Sequence, residues 1–465
     1  VNVGNVRQYV VGTEQRVPVV DGRHVNYVNL DNAATTPAFM PVLDCSRRFS
    51  EWYASVHRGS GFKSLLSTHV YEKCRDIVAD FVGADLSRHT LIFAQNATHA
   101  LNKLAMRMCV GDDHTVITTM MEHHSNMLPW RRLGCGLEYA EIHRADGTLD
   151  LADLENKVRA NEGSVCLITV TGGSNVTGNM PPIRRIARLA HEHGALCAVD
   201  ATQLIPHRPF QMGPPDEPES IDFIAFSAHK MYAPFGSGVL IGPKEVFEQG
   251  SPDQVGGGTV NAVTMDQVMW ALPPEKDEAG TPNVPGAVAL ASSIKVLQSI
   301  GMENLAEHER ELTRRALSKL TKMEDLTLYG LTDPDLKRDR LGVISMTADR
   351  LGHGELAAVL GFEWGVGVRN GCFCAQPYVR ELLGISGEEM QAIVEKLAAG
   401  DHATVPGLVR ISFGVYNTAD DVDYVVEALR SILSKGAGVK YVLDTQYGDY
   451  VPESPAFSLD DYAPF

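Results

Sequence analysis

The first part of the chain alternates short apolar runs with segments that have the apolar spacing of amphipathic helices. Six runs have the length and composition of buried strands: TLIFA (90–94), TVITT (115–119), VCLITV (165–170), LCAVD (196–200), DFIAF (222–226) and GVLIG (238–242). A helix-period segment such as 183–195 lies between several of them. Strands that alternate with helices form βαβ units. The pattern therefore predicts an α/β domain with a mostly parallel sheet between helices.

The pattern changes at about residue 284. A long amphipathic helical region covers 286–320, and the short strand-like runs VISMT, GVGVRN and LVRISF follow it among further helices. This mixture predicts a second, smaller α+β domain. The units that we expect are a large domain of residues 28–290, a small domain of 1–27 with 291–438, and an extended, acidic and aromatic arm of 439–465.

Composition places the chain among globular proteins that bind small molecules. Its 465 residues exceed the roughly 250–300 at which single cores stop growing, and 44% of them are hydrophobic. The net charge of -17 disfavours binding to nucleic acid or to anionic membranes. No apolar run approaches the ~20 residues of a membrane span, and the N-terminal stretch lacks the apolar centre of a signal peptide. We therefore expect a cytoplasmic protein.

The cysteines are scattered along the chain, at positions 45, 74, 109, 135, 166, 197, 372 and 374. In a large chain without a secretion signal, this distribution is typical of reduced thiols. Only Cys372 and Cys374 are close together, and a single C-x-C pair is weak evidence for zinc. We expect no metal site.

Polar side chains follow two of the predicted strands. Asp200 ends one strand and Gln203 follows it, whereas Ser227, His229 and Lys230 follow another. Ligands of open α/β sheets bind at the carboxyl ends of the strands. An isolated lysine here is usually a surface residue, and an aspartate after a strand usually caps a helix. Together, however, the amine, carboxylate and hydroxyl suit pyridoxal 5'-phosphate, which forms a Schiff base with lysine and pairs its ring nitrogen with a carboxylate.

Ten motifs, taken in their order along the chain, resemble those of one enzyme family. They are YVNLDNAATTP (27–37), ASVHRGSG (54–61), MEHHSNMLPW (121–130), GGSNVTGNMPPI (172–183), AVDATQLIPH (198–207), DFIAFSAHKMYAPFGSGVLIG (222–242), QVGGGTV (254–260), AGTPNVPG (279–286), RNGCFCAQP (369–377) and RISFGVYNT (410–418). From about residue 27 to 432 the chain is similar to the fold-type I pyridoxal-phosphate enzymes of the class V aminotransferase group, most of all to the group II cysteine desulfurases and selenocysteine lyases. The resemblance implies a mostly parallel sheet of seven strands between helices, plus a smaller α+β C-terminal domain.

The resemblance also implies a cofactor role for each polar residue. Lys230 matches the Schiff-base lysine, Asp200 the partner of the ring nitrogen, and Gln203 the residue near the phenolic oxygen. His123 matches the histidine that stacks on the ring and moves protons, whereas we expect His124 to be structural. Phosphate contacts are expected from Ala97, Thr98, Ser227 and His229, and from the partner subunit's Thr281 in a homodimer with shared active sites.

A substrate site for an amino acid follows from the same resemblance. Asn175 and Arg410 match the pair that receives the α-carboxylate, for which a guanidinium offers a planar fork of two donors. An ion pair between domains is the alternative role for Arg410. The other substrate-binding residues that we expect are Asn32, Ala33, His57 and Arg369.

Cys374 distinguishes between the reactions of this family. It lies five residues after Arg369, which is the spacing of the nucleophile in group II desulfurases. In that reaction the enzyme thiol takes the sulfur of L-cysteine as a persulfide, L-alanine is released, and an acceptor protein receives the sulfur. Cationic neighbours such as Arg369 or His57 would favour the thiolate. The usual role of a cysteine is apolar packing, and we expect that role for Cys372.

Departures from the family pattern leave alternatives open. NATH replaces a threonine doublet at the phosphate site, GGSN replaces a stretch that usually contains histidine, and the tail beyond 438 has no counterpart. One alternative is another reaction on the same scaffold: C–S lysis, selenocysteine lysis, epimerisation or transamination. Another is a non-catalytic assembly protein, against which Lys230, Asp200 and His123 argue. Cys374 favours the desulfurase, because simple elimination needs no thiol there.

Overall fold

A computed structural model of the protein describes residues 1–108, 113–399, 405–444 and 448–464. The α-helices are α1 (Met40–Ser50), α2 (Phe62–Val82), α3 (Ala97–Met108), α4 (Leu128–Arg131), α5 (Leu151–Ala160), α6 (Ile183–Glu192), α7 (Lys244–Glu248), α8 (Val284–Ile300), α9 (Met302–Leu320), α10 (His353–Trp364), α11 (Gln376–Leu383), α12 (Gly387–Ala398) and α13 (Ala419–Lys435). The β-strands are β1 (Arg16–Pro18), β2 (His24–Asn26), β3 (Val28–Asn29), β4 (His89–Ala94), β5 (Thr115–Thr119), β6 (Gly136–Ala140), β7 (Ile142–His143), β8 (Thr148–Leu149), β9 (Val165–Thr171), β10 (Leu196–Asp200), β11 (Phe223–Ser227), β12 (Gly238–Pro243), β13 (Val260–Val263), β14 (Val268–Trp270), β15 (Leu326–Tyr329), β16 (Val343–Ala348), β17 (Val366–Gly367), β18 (Arg369–Gly371), β19 (Leu408–Ser412), β20 (Tyr441–Asp444) and β21 (Asp449–Pro452).

Seven strands form the central sheet, in the order β4-β12-β11-β10-β9-β5-β6. The strand pairs from β11 to β6 are parallel, whereas β12 runs antiparallel to both of its neighbours. Six of the seven strands are those predicted from the apolar runs, and the mostly parallel α/β sheet is confirmed. The seventh, β6, is only partly buried at the sheet edge, so its apolar pattern is weak.

The inner strands are buried on both faces. In β11, Phe223 and Ala225 pack in a cluster with residues of α3, whereas Ile224 and Phe226 pack in the largest hydrophobic cluster on the other face. A strand that is covered on both sides reads as a continuous apolar run instead of an alternating one. This double burial explains why the sequence marks these strands so clearly.

A second, smaller sheet lies in the C-terminal part. Its four antiparallel strands have the order β15-β16-β19-β18, and residues of α9, α10 and α13 complete its core. The predicted strand GVGVRN is divided into β17 and β18, and β17 pairs in parallel with β3. Asp31, just after β3, bridges to Ser412 at the end of β19. The segment around β3 therefore lies beside β17 and the end of β19.

The long helical region predicted for 286–320 consists of two helices. It breaks at Gly301, whose φ of 88° lies in the left-handed region that glycine adopts readily. Met302 packs in the larger core, whereas Leu312 packs in the smaller one. Over the described ranges, no single helix has the length and apolar composition of a membrane span; the one pair that passes this test together is α8 with α9, bent by 75°.

Both chain ends contact α10. The Val20 N–H donates to the Phe362 carbonyl at 2.8 Å, and the Phe457 ring of the tail stacks on the Phe362 ring with centroids 6.2 Å apart. The tail forms the β20–β21 hairpin and a 3-10 helix at Leu459–Tyr462. Val6, in the segment 1–27 that is predicted for the small domain, packs in the larger core. The domain boundaries themselves stay a prediction.

Candidate active site

A cavity of about 380 Å³ lies at the carboxyl edge of the central sheet. The ends of β9, β10 and β11 contribute Thr171, Asp200 and Ser227 to its lining. The rest of its wall comes from the amino end of α3, the turn after β5, the loops after β3, β9, β10, β11 and β18, and the strands β18 and β19. The predicted residues that line it are Ala33, Ala97, Thr98, His123, Asn175, Asp200, Gln203, Ser227, His229, Lys230, Arg369, Cys374 and Arg410.

Lys230 lies in a short 3-10 turn, Ala228–Lys230, directly after β11. Burial lowers the pKa of its amine to about 8, and the Asp200 carboxylate opposes this effect. Asp200 is buried and accepts a hydrogen bond from the Thr202 N–H at 3.1 Å. Burial raises the pKa of Asp200, whereas Thr202 and Lys230 lower it. The cavity thus holds an amine that loses its proton easily, near a buried carboxylate.

The lowered pKa of Lys230 predicts how its reactivity depends on pH. Only the neutral amine attacks an acylating reagent, so the acetylation rate of Lys230 in the cofactor-free protein should rise with pH and reach half its maximum near pH 8. An unperturbed lysine has a pKa of about 10.4. Competitive labelling with acetic anhydride, read by peptide mass spectrometry, checks this; a midpoint above pH 10 would contradict it.

The amino end of α3 faces the cavity. The Asn96 side chain accepts a hydrogen bond from the His99 N–H at 2.9 Å, which satisfies one of the free donors of the first turn. The Ala97 N–H donates to the Ser227 hydroxyl at 2.7 Å, and Thr98 is exposed beside them. The N–H groups and the helix dipole at such an end favour an anion. This end of the cavity is suited to a phosphate.

Hydrogen bonds determine which nitrogen of His123 carries the proton. The Ser125 N–H donates to His123 Nδ1 at 3.1 Å, so Nδ1 provides the lone pair and the neutral ring is protonated on Nε2. Burial, followed by the charge of Lys230, lowers the pKa of His123 to about 3. Sequence reasoning missed Ser125, whose hydroxyl lies 3.0 Å from His123 Nδ1 and 2.6 Å from the Thr98 hydroxyl. Ser125 therefore joins His123 to the anion-binding end.

Glu122 is a buried carboxylate behind His123 that the sequence did not single out. It accepts hydrogen bonds from the Thr119 hydroxyl and the Asn126 amide, both at 2.6 Å, and from the Thr171 N–H at 2.9 Å. Burial raises its pKa to about 8, and the three donors oppose that shift. These bonds connect the end of β5, the turn that carries His123 and the end of β9. Glu122 thus fixes the position of that turn.

Two arginines share one carboxylate at the cavity. Arg410 Nη2 lies 3.0 Å from one oxygen of Asp31, and Arg369 Nη2 lies 2.8 Å from the other. Arg410 Nη1 donates to the Asn175 carbonyl at 2.9 Å, whereas Arg410 Nε is buried with no hydrogen-bond partner among the described residues. Burial lowers the pKa of Arg410 to about 10. The sequence did not mark Asp31 as a site residue, because nothing in LDNAATTP distinguishes this aspartate from others. Only the fold places both arginines beside it.

Cys374 lies on a strained loop. Phe373 and Cys374 have φ angles of 53° and 54°, a left-handed conformation that costs about 1–3 kcal/mol per non-glycine residue. Asn175 Nδ2 donates to the Phe373 carbonyl at 2.8 Å, and the Arg410 guanidinium lies 4.7 Å from the centre of the Phe373 ring. The Cys374 thiol lines the same cavity as Lys230 and Arg410. The loop thus holds an exposed thiol at the mouth of the cavity.

Cys372 has a different environment. Its Sγ donates to the Pro406 carbonyl at 3.0 Å, and burial raises the pKa of its thiol to about 11. It does not line the cavity that Cys374 lines. The cysteines within the described ranges form no disulfide, and Cys109 lies outside those ranges.

Three of the predicted site residues lie elsewhere. The Asn32 amide donates to the Ser412 carbonyl at 3.0 Å and to Asn417 Oδ1 at 3.2 Å, which joins the segment after β3 to β19. His57 and Thr281 both line a second cavity of about 520 Å³. Within one chain, neither of these two residues lines the cavity of Lys230.

Comparisons with known proteins agree with this fold. The Aminotransferase class-V family model matches residues 28–425. A protein of Streptomyces coelicolor named probable cysteine desulfurase is 35% identical over 426 residues, which cover 89% of this chain and 93% of that protein. The cysteine desulfurase of Haloferax volcanii is 32% identical over 410 residues, with 86% and 88% covered. The apo structure of the cysteine desulfurase from Thermococcus onnurineus NA1 superimposes with a TM-score of 0.79 at 30% identity, covering 93% of this chain and 98% of that one. The chain therefore belongs to the class-V aminotransferase family.

Proposed function

We propose that this protein is a pyridoxal-phosphate-dependent cysteine desulfurase, which converts L-cysteine into L-alanine and keeps the sulfur on Cys374 as a persulfide. The observation that carries the proposal is an exposed thiol at the mouth of the cavity that contains Lys230 and Asp200. Relatives that match most of the chain are named cysteine desulfurases, which supports the same reaction. A simple elimination would use the amine and the carboxylate but no thiol.

The cavity residues fit the cofactor of this family, pyridoxal 5'-phosphate. Gln203 Oε1 is buried with no hydrogen-bond partner in the described part of the chain, although the residue lines the cavity. Buried polar atoms normally have a partner, so this oxygen indicates a polar ligand. Lys230 would hold the aldehyde carbon, Asp200 the ring nitrogen and the amino end of α3 the phosphate. When bound, the cofactor ring withdraws electrons from the substrate carbons.

The remaining side chains orient the substrate and move its protons. Arg410 and Arg369 bind the α-carboxylate, since a guanidinium fork matches two carboxylate oxygens. Lys230, with its pKa lowered to about 8, is substantially neutral near that pH and takes the α-proton. His123 is a hydrogen-bond donor through Nε2, because Ser125 occupies Nδ1.

Sulfur transfer requires Cys374. Its sulfur attacks the sulfur of L-cysteine, so that an S–S bond forms as the substrate C–S bond breaks. The electron pair of the broken bond stays with the β-carbon, which gains a proton and becomes the methyl group of L-alanine. L-cysteine and one thiol thus give L-alanine and one persulfide, with no external oxidant.

The direct test is to incubate the purified, cofactor-loaded protein with L-cysteine and to follow four products together. Alanine and a protein mass increase of one sulfur atom on the peptide of Cys374 should appear in equal amounts in the first turnover. Pyruvate with free sulfide would instead indicate C–S lysis. If neither alanine nor pyruvate is formed, both reactions are excluded. L-selenocysteine, run in parallel, distinguishes a selenocysteine lyase.

The second cavity and a neighbouring hairpin support a homodimer with shared sites. The β13–β14 hairpin and the residues after it expose apolar side chains: Met265 is 99% exposed, Met269 63% and Leu272 71%. Exposed apolar clusters of this kind mark interaction surfaces. Leu272 also lines the cavity of His57 and Thr281. A second copy of the chain that covers this surface would bring Thr281 to the partner's phosphate site.

The dimer proposal predicts a mass of twice the 50.6 kDa of the chain in light scattering. The variant Met269→Asp/Leu272→Asp should shift the protein to monomers and weaken cofactor binding, because two charges replace apolar contacts. Leu459→Asp is the matched control, since Leu459 is 79% exposed on the tail. An active monomer, or a double variant that remains dimeric, would contradict the proposal. A sulfur-acceptor protein and a cytoplasmic location stay predictions.

A further inference from the structure

His124 contacts the Cys374 loop, residues 372–376, through both its backbone and its ring. The His124 N–H donates to the Cys374 carbonyl at 2.7 Å, and the Gln376 N–H donates to His124 Nε2 at 3.3 Å. Since Nε2 accepts a hydrogen bond, the neutral ring carries its proton on Nδ1. Burial lowers the pKa of His124, which keeps Nε2 an acceptor at neutral pH.

We infer that His124 is a positioning residue whose imidazole holds the Cys374 loop in its left-handed conformation. Consecutive left-handed residues other than glycine persist only where their surroundings fix them. Two side chains fix this loop, one on each side of the thiol: Asn175 binds the Phe373 carbonyl, and His124 binds the Gln376 N–H. The role of the held thiol as nucleophile rests on the proposed function, whereas the order of the loop does not.

The place of His124 in the chain adds a second consequence. His124 begins the 3-10 helix His124–Asn126, and His123 is the residue that caps it. Glu122 anchors the same turn to β9. One rigid turn therefore orients both the histidine that lines the cavity and the loop that carries the thiol. This arrangement sets the distance between Cys374 and the rest of the site without any direct contact from His124 to the substrate.

Two variants separate the acceptor role of the ring from its bulk. His124→Leu removes the acceptor for the Gln376 N–H, whereas His124→Gln supplies a carbonyl oxygen as a replacement acceptor; the backbone bond to Cys374 remains in both. We expect hydrogen–deuterium exchange of the loop peptide, residues 372–378, to accelerate at least tenfold in His124→Leu and to stay near wild type in His124→Gln. With L-cysteine, kcat should fall about 10²-fold in His124→Leu at nearly unchanged KM, because a thiol displaced by about 1 Å loses alignment while the carboxylate site is intact.

The two readouts fail independently. If the wild-type protein shows no persulfide on Cys374, the proposed function fails, yet the exchange experiment still tests whether His124 holds the loop. Wild-type exchange at 372–378 in a folded His124→Leu protein would overturn the inference, and so would equal exchange and equal loss of kcat in both variants. Thermal unfolding of each variant shows whether it is folded. If His124→Leu does not fold, His124→Phe, which keeps the ring volume without the acceptor, takes its place.

Discussion

Replacing Cys374 with alanine is expected to abolish persulfide formation and to lower alanine production from L-cysteine by about 10⁴–10⁶-fold, the range observed when a nucleophile is removed from a catalytic site. The attacking atom is absent in this variant, and within the described residues no other cysteine lines the cavity. Arg410, Asn175 and Lys230 are unchanged, so L-cysteine should still bind. Mass spectrometry of the enzyme and an alanine assay measure the loss, and equilibrium binding of L-cysteine shows that the pocket is intact.

Cys372→Ala is the matched control for this prediction. This variant also removes one thiol from the loop. The Cys372 thiol, however, donates to the Pro406 carbonyl, and burial raises its pKa to about 11. We expect alanine production within about threefold of wild type, since no group at the cavity is lost. If Cys374→Ala instead retains most of the alanine production, the desulfurase proposal fails. A selenocysteine lyase or C–S lyase activity then becomes the favoured hypothesis.

Lys230→Ala should abolish both the covalent attachment of the cofactor and the reaction, again by about 10⁴-fold or more, because one amine serves both purposes. Among the lysines that the structure describes, only Lys230 lines the cavity, so no second amine is in place to form the attachment. Borohydride reduction followed by peptide mapping locates the pyridoxyl group. In wild type it should be found on the peptide that contains Lys230, and in the variant on no peptide.

A surface lysine provides the control for that experiment. Lys73→Ala removes an exposed amine that pairs with Asp76 at 3.6 Å, and it should leave attachment and turnover unchanged. Detection of the pyridoxyl group at a fixed alternative lysine in Lys230→Ala, with activity retained, would show that Lys230 is not the attachment residue. Loss of the group in both variants would point to an unstable protein, which thermal unfolding identifies.

The strands and the residues at their carboxyl ends could be predicted because their signals are local. A strand buried on both faces has an unbroken apolar run; Asp200 ends one such run, and Lys230 lies in the turn that follows another. β6 escaped prediction because it is only partly buried and its sequence is mixed, whereas β4 at the opposite edge of the sheet is buried throughout and has an apolar run. The break of the long helical region at Gly301 also needed the structure, since glycine occurs within helices as well as between them.

The partners of the site residues could not be predicted, because they come from distant parts of the chain. Asn175 lines the cavity, where its role toward the substrate carboxylate stays a prediction, and its amide also donates to the carbonyl of Phe373, 198 residues away. Asp31, Ser125 and Glu122 are common residue types with no distinctive spacing, and only the fold gives them their roles. His57 and Thr281 line a cavity of their own, so one chain by itself does not test what was expected of them.

The pairing of Asp31 with Arg410 joins positions 379 residues apart, and β3 needs β17 as its partner. During synthesis, the segment around Asp31 leaves the ribosome long before β19 does. Contacts of such high sequence separation form late, since the loop between them must first be closed. The strands of the central sheet, the last of which ends at Pro243, leave the ribosome before β19, so Arg410 reaches Asp31 only after those strands are available to pair. A truncated chain that stops before residue 408 would therefore lack the Arg410–Asp31 ion pair at the cavity even if its central sheet were folded.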